Sequence, residues 1–511
     1  MSDTTPELPE LDLNEQMLVR RAKRQRLLDE GREAYPAGVK RTHTLEQIRE
    51  AYAHLEAGEE TQDVVGIAGR VIFVRNTGKL CFATVQEGIG TRLQVMLSLA
   101  EIGEASLEDW KALVDLGDHV FVTGRVIQSR RGELSIMATS WEMASKALRP
   151  LPVFHKETSE EFRVRQRYAD LIVRQEARDM VRTRSLVTRS IRHTLEDAGY
   201  LEIETPVLQL IHGGAHARPF KTHLNAFDQP MTLRIALELN LKKAVVGGVD
   251  KVFEIGRIFR NEGVDSTHSP EFTMLEAYES YGDQFSMADI MKTLYLNAAD
   301  AIGSRQITIT SDVEGEDPTC IDLDGEWRWL PVYEGVSEAV GVTITPDTSV
   351  EDLLALAAKH EVEIDPKWLK GPAVAGKVVM ELCGELVEPH LIQPTFLCDF
   401  PAIAQPLARL NSEDSRKVLA WDLIIGGVER GTAFTELIDP VVQREVLTQQ
   451  SLIAAGGDPE AMQLDEDFLR ALEYGAPPMG GLGLGLDRMV MLFTGAGIRE
   501  TILFPLLKPE A

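Results

Sequence analysis

Three observations predict an α+β fold in two parts. Residues 64–145 offer five short strand candidates, at 65–74, 80–86, 92–97, 119–126 and 133–140, with a helix at 106–114 between the third and fourth. The run Arg149-Pro150-Leu151-Pro152 makes a stiff linker, because proline fixes its own backbone angle. Beyond it strands and helices mix without the regular βαβ rhythm of a parallel sheet, which suits an antiparallel sheet flanked by helices. Five strands with a helix at that place suit an OB barrel, a fold that often holds single-stranded nucleic acid on one face. The expected division is a helical extension at 1–60, the barrel at 61–148, the linker at 149–160 and the larger domain at 161–511.

The elements follow in order. Residues 14–30 read as a helix, with Asn14 as its cap and Gly31 at its end. Pro36 and Gly38 punctuate the chain before a second helical stretch at 44–56. On the barrel, Arg75, Phe82, Arg92 and Gln94 fall on or near the binding face, although Phe82 alone also suits the barrel core. In the larger domain Val187, Ile191 and Leu195 recur at helical spacing until Gly199, and a strand at 200–204 breaks at Pro206. The run 251–255 leads in as a strand, and 271–278 returns as one. Residues 301–375 read as a helical or irregular insertion without a motif.

Composition sets limits. At 511 residues the chain is long enough for two or more cores. No apolar run reaches the length needed to span a bilayer, and 1–9 is polar and acidic, with neither a signal peptide nor a lipidation motif. Cys81, Cys320, Cys383 and Cys398 are scattered without zinc spacing and read as free thiols in a reducing cytoplasm. The formal net charge of -27 makes the chain look a poor nucleic-acid binder, because phosphate contact favours Lys and Arg, and no DNA partner is expected. Binding follows local fields, so the charge does not exclude RNA, and Arg20, Arg21, Lys23, Arg24 and Arg26 cluster on one segment as a candidate phosphate contact.

The richest stretch is Arg257-Ile258-Phe259-Arg260-Asn261-Glu262-Gly263, followed by Pro270-Glu271-Phe272-Thr273-Met274-Leu275-Glu276. A hairpin carrying arginines, aromatics and carboxylates can hold a nucleotide, since a guanidinium forks onto phosphate or carboxylate.

Three segments together resemble the class II aminoacyl-tRNA synthetases. They are the helix and strand ending in Glu204-Thr205-Pro206, the 257–276 hairpin, and Gly481-Leu482-Gly483-Leu484-Gly485-Leu486-Asp487-Arg488. The preceding barrel narrows the likeness to the aspartyl, asparaginyl and lysyl subgroup. Arg165-Gln166-Arg167-Tyr168, Gly213-Gly214-Ala215-His216-Ala217-Arg218-Pro219-Phe220, Pro394-Thr395-Phe396 and Ile502-Leu503-Phe504-Pro505 are similar to the bacterial lysyl branch. The likeness runs in order from about residue 14 to 508.

That resemblance implies a cytoplasmic homodimer that activates L-lysine with ATP and transfers it to tRNA(Lys). Arg260 and Arg488 would be the catalytic residues, Arg260 bridging the lysine carboxylate and the α-phosphate. ATP would also meet Glu262, His268 and Phe272, and Asp422 and Glu429 would hold Mg2+ through hard carboxylate oxygens. Lysine would meet Gly214 and Glu238 at its α-ammonium, Phe434 along its methylenes, and Glu276, Tyr278 and Glu436 at its ε-ammonium. On the barrel, Phe82 would stack on an anticodon base, with Arg75, Gln94 and Glu133 reading edges or backbone.

Some residues depart from the lysyl pattern. Leu237 stands for the usual Pro, Asn240 for Tyr, Leu224 for a polar residue, Gly256 and Thr432 for Asn, Gln405 for Ser, and Asp422 for Glu. These changes keep open a paralog with altered amino-acid preference. The acidic trio Glu238, Glu276 and Glu436 argues against aspartate or asparagine as substrate. The barrel argues against a ligase that modifies proteins, and the retained arginines against a non-catalytic RNA-binding relative.

Overall fold

Asn14 accepts a bond from the Met17 amide at 3.0 Å and starts the helix Glu15–Asp29, as its cap position requires. The computed structural model describes residues 14–88, 90–152, 158–265, 267–309, 318–366, 369, 373–455 and 462–509. Gly31, at φ +72°, follows the C-terminus of that first helix. The second helix is shorter than its pattern suggests, Leu45–Ala51, held by a Thr44–Gln47 capping box.

By compactness the chain divides after Asp179, inside the helix Gln175–Asp197. In the first unit the strands Glu60–Asn76, Leu80–Glu87, Thr91–Ser98, His119–Gln128 and Leu134–Ser145 close a barrel in the order first, second, third, fifth, fourth. The helix Glu104–Leu113 falls between the third and fourth strands, and its Trp110 meets Trp141 edge-on at 5.2 Å. Strand alternation decides which side chains fill the interior. Cys81, Ala83 and Val85 point in, as do Leu93, Val95 and Leu97. Phe82 therefore points out and is only half-buried, which rules out the core reading for it.

The basic cluster near residue 20 does not form a free phosphate-binding face. Arg20 is buried and donates to the carbonyls of Ala147 and Leu116, while Lys23 pairs with Asp115 at 2.6 Å. Arg26 pairs with Glu30 and Asp109. Local acids pair with Lys23 and Arg26 and backbone carbonyls take Arg20, contacts that spacing alone does not reveal.

The second unit is built on an eight-stranded sheet. From one edge the order is Arg328–Pro331, Thr395–Cys398, Ala420–Ile425, Val428–Thr435, Met479–Gly485, Glu271–Ser280, Lys251–Phe259 and Leu201–Glu202. The six central strands are antiparallel, as expected, but each edge strand pairs in parallel with its neighbour. The Arg328–Pro331 strand comes from the region read as an insertion, so part of 301–375 completes the sheet. The helices Gln175–Asp197 and Gln284–Ile302 supply Val187, Ile191, Leu195, Met291 and Leu294 to the core with Phe253, Leu275 and Leu484. A small outer sheet, Leu208–Gln209, Lys221–Leu224 and Gln229–Leu233, carries Leu224.

Candidate active site

The three central strands that matter most are Met479–Gly485, flanked by Glu271–Ser280 on one side and Val428–Thr435 on the other. Glycine recurs along the middle strand because the neighbouring side chains need its surface. A Cβ placed on Gly481 would lie 2.1 Å from Glu436 Oε1 and 2.4 Å from Tyr278 Cε1. Gly481 thus opens the floor on which these two groups meet. The strand ends at Gly485, where the helix Leu486–Thr494 starts and carries Arg488 in its first turn.

Around Gly481 the carboxylates are deeply buried. Glu276 Oε1 accepts from the Leu237 amide at 2.9 Å, and its Oε2 accepts from the Tyr278 hydroxyl at 3.0 Å. Burial, reinforced by Glu238, pushes Glu276 up to about 7. Burial likewise pushes Glu436 up to about 8, against the pull of Lys242. Lys242 lies 2.5 Å from both Glu238 Oε1 and Glu436 Oε2. Burial works against its charge, but the two carboxylates more than offset it and hold its affinity for the proton above the ordinary lysine value. Gly214 reaches this pocket through a φ of +84°, with Glu238 and Ala236 too close for a side chain there. Phe434 is paired across from Gly481 and packs, half-buried, on the neighbouring core.

Arg260 links this end to the next. Its guanidinium lies 5.3 Å from the Phe272 ring centroid, and its Nε donates to the Ile235 carbonyl at 3.4 Å. Burial draws its pKa below the ordinary value, Arg488 adds to that, and Glu262, Glu276 and Glu429 oppose it. One guanidinium therefore feels the acids of the pocket and, at once, Arg488 and Glu429. Arg488 Nη1 donates to the Glu429 carbonyl at 3.1 Å and stands 3.4 Å from its carboxylate.

Asp422 and Glu429 lie on the two strands of one hairpin. Gly426 and Gly427, both at positive φ, make its turn. Burial and then Glu429 push Asp422 well above the usual carboxylate range. A third acid, Glu388, is raised by burial and by the same Glu429. Acids that raise one another suit a cation with hard-oxygen preference, and two carboxylates with substrate phosphates are a common magnesium environment. Among the described residues no group of three or more potential ligands is preformed for a metal.

The remaining nucleotide-side residues are exposed. Glu262 Oε1 accepts from the Arg218 amide at 3.3 Å, which ties the 213–220 loop to the hairpin. His268 sits in an exposed turn in which Asp265 accepts from the Thr267 and His268 amides. Those amide bonds, with Thr267 first, hold the Asp265 carboxyl well below its usual range.

Comparison with known proteins assigns this geometry. A model of class II tRNA synthetases of the D, K and N group matches residues 159–508, and one of the OB-fold nucleic acid binding domain matches 65–144. The chain is 55% identical to a lysine-tRNA ligase of Kineococcus radiotolerans over 98% of both chains. It is 54% identical to one of Mycolicibacterium gilvum over 99% of both. The chain belongs to the lysine-tRNA ligase family of class II synthetases. It is also 47% identical to a lysylphosphatidylglycerol biosynthesis bifunctional protein of Gordonia bronchialis, over 97% of this chain but 42% of that longer one.

Within this family the departures of the chain acquire local reasons. Leu237 carries an amide hydrogen that proline lacks, and it donates that hydrogen to Glu276. At Gly256 a Cβ would lie 2.4 Å from Arg234 Nη2 and 3.1 Å from Leu237 Cδ2, so the space Asn would need is already filled. Arg234 in turn pairs with Glu254 at 2.6 Å, and Glu254 accepts from the Thr205 amide. Thr432 stands across from Asp422 in register, and its hydroxyl, which donates to the Trp421 carbonyl at 3.3 Å, opposes the rise in the Asp422 pKa. Asn240 lies in the helix Glu238–Val246, and nothing in the structure explains the changes at Asn240, Leu224 or Gln405.

On the barrel, Arg75 pairs in register with Phe82, and Gln94 with both Thr84 and Ser135, so these side chains share one outer face. Gln94 donates to Ser135 Oγ at 2.8 Å, and Glu133 stands 3.4 Å from Arg49. Phe73 is 53% exposed two residues before Arg75 on the same strand, an aromatic that the sequence reading did not single out. Lys242 and Glu388 were missed as well. Lys242 had a signal, since it lies four residues after Glu238 on a helix. Glu388 had none, because only the fold brings it near Glu429.

Proposed function

We propose that this chain joins L-lysine to tRNA(Lys) in two steps. A carboxylate oxygen of lysine attacks the α-phosphorus of ATP, the bond to the β-phosphate breaks, and pyrophosphate leaves. The terminal adenosine hydroxyl of the tRNA then attacks the lysyl carbonyl and AMP leaves. The observation that carries this reading is the place of Arg260, whose guanidinium feels Glu276 of the amino-acid pocket together with Glu429 and Arg488. A cation there offsets the charge that builds between two joined anions. Phe272 covers the adenine, Arg488 meets the far phosphates, and Glu262 and His268 flank the nucleotide. Asp422 and Glu429 would hold Mg2+, which when bound shields the phosphates from one another.

Glu238 with the Gly214 backbone takes the α-ammonium, and Glu276, Tyr278 and Glu436 take the ε-ammonium. Phe434 lies along the methylenes. Arg75, Phe82, Gln94 and Glu133 take the anticodon. The enzyme works as a homodimer, supported by the exposed Leu201, Leu208 and Leu210 beside the motif that ends at Pro206. No helix among the described residues is long and apolar enough to cross a membrane, and with four free cysteines this supports a cytoplasmic place. The test is amino-acid-dependent pyrophosphate exchange. Lysine should drive it; exchange driven by aspartate or asparagine and not by lysine sinks the reading.

A further inference from the structure

We propose that Lys242 is a resident counter-cation that ties together the two ammonium-binding carboxylates, and that this tether selects the length of the substrate side chain. The inference rests on the lysine reading above. One nitrogen, Lys242 Nζ, lies 2.5 Å from an oxygen of Glu238 and 2.5 Å from an oxygen of Glu436. Glu238 belongs to the same helix, and Glu436 follows the Val428–Thr435 strand, so the contact joins two elements distant in sequence. Lys242 is 1% exposed, its ammonium is 5.9 Å from the Tyr278 ring centroid, and Leu241 and Val245 anchor its helix in the core. It has no room to swing into water when substrate arrives.

Each tethered carboxylate keeps one oxygen for the ligand. Glu238 Oε2 faces Gly214, 3.7 Å from where a Cβ on that glycine would sit. Glu436 Oε1 faces Gly481 and has no hydrogen-bond partner, although the residue is 2% exposed. A buried carboxylate oxygen left open in this way is aimed at a donor that the ligand brings.

Charge and distance then do separate work. When all are ionised, Glu238, Glu276 and Glu436 supply three negative charges, and Lys242 cancels one. The two that remain match the two ammonium groups of lysine, whose carboxylate goes to Arg260. A neutral side chain leaves a buried carboxylate unpaired and is rejected on charge. Ornithine brings the same charges on a shorter chain, so charge cannot reject it. The spacing of Glu238 and Glu436 can, and Lys242 fixes that spacing.

The test measures lysine- and ornithine-dependent pyrophosphate exchange with the full-length enzyme, as wild type and as Lys242→Met and Lys242→Gln. Thermal unfolding shows which variant folds, and Lys242→Gln, one atom shorter but with a neutral donor kept, serves if Lys242→Met does not. In the neutral variant, KM for lysine should rise about tenfold or more, with a smaller change in kcat. The ratio of kcat/KM for lysine over ornithine should fall at least tenfold. The pH at which KM for lysine levels off should move up by one unit or more. The groups facing the site are Glu238, Glu276, Glu436, Tyr278 and Arg260, and the acids among them lose their counter-cation. Lys242→Arg, which restores the charge, should bring that pH back. A lysine-to-ornithine ratio unchanged within threefold, or a parallel loss of both substrates without a pH shift, overturns the role of Lys242. If wild type shows no lysine-dependent exchange, it is the lysine reading itself that fails.

Discussion

The two ends of the catalytic site are built on opposite plans. At the proposed nucleotide end, Glu262, His268 and Arg488 sit on a loop or at a helix start, partly open to solvent, whereas Asp422 and Arg260 there feel burial strongly. At the amino-acid end, Glu238, Glu276, Tyr278 and Glu436 are buried, bonded to one another or to Lys242, and two carboxyls are raised to about 7 and about 8. ATP is large and highly charged, so cations at a partly open surface and the metal it brings can hold it. Lysine differs from its competitors by one charge or one methylene. Such a difference is read only where an unpaired carboxylate is expensive, which requires burial.

Arg260 belongs to both ends, so its loss should do the most damage. Arg260→Ala should lower lysine-dependent pyrophosphate exchange by about 10³-fold, the scale seen when a preorganised charge-stabilising group is removed. Exchange within tenfold of wild type would dissolve the link between the two ends. Gly481→Ala tests the buried end alone. Its Cβ must displace Glu436 or Tyr278, so KM for lysine should rise by about 100-fold, or about 2.7 kcal/mol, while KM for ATP stays within a few-fold. Equal effects on both would mean that the ends are not separate.

The smallest effect is the most specific. If lysine binds the ionised forms of Glu276 and Glu436, as proposed, then because burial has raised both acids KM for lysine should fall as pH rises through about 7 to about 8. KM for ATP, set by the other end, should show no such step. Leu237→Pro removes the amide that stabilises ionised Glu276 and should move the step upward, by less than about one unit. A step that stays in place in this variant would show that the Leu237 amide does not tune the pocket.

Much of this was legible in the residues. The five barrel strands and their helix lie within a few residues of the alternation that predicted them, because a closed barrel imposes its period on every strand. The hairpin through Arg260 and the glycine strand before Arg488 were also readable as segments. What could not be read was pairing. The cations near residue 20 looked free, yet Asp115 pairs with Lys23 and Asp109 with Arg26, partners some eighty to ninety residues away in sequence. The edge strand from 328–331 looked like insertion because an edge position imposes no pattern of its own.

The sequence by itself determined the barrel, the antiparallel heart of the larger domain, and the set of arginines and carboxylates that the chemistry needs. These follow from periodicity and residue type, which are local. Tertiary structure decided which charges meet. Glu238 and Lys242 were one helical turn apart on the page, but Glu436 joins them only because its strand runs beside the glycine strand. Electrostatic energy depends on distance through space and on the water excluded between charges, and neither is written along the chain.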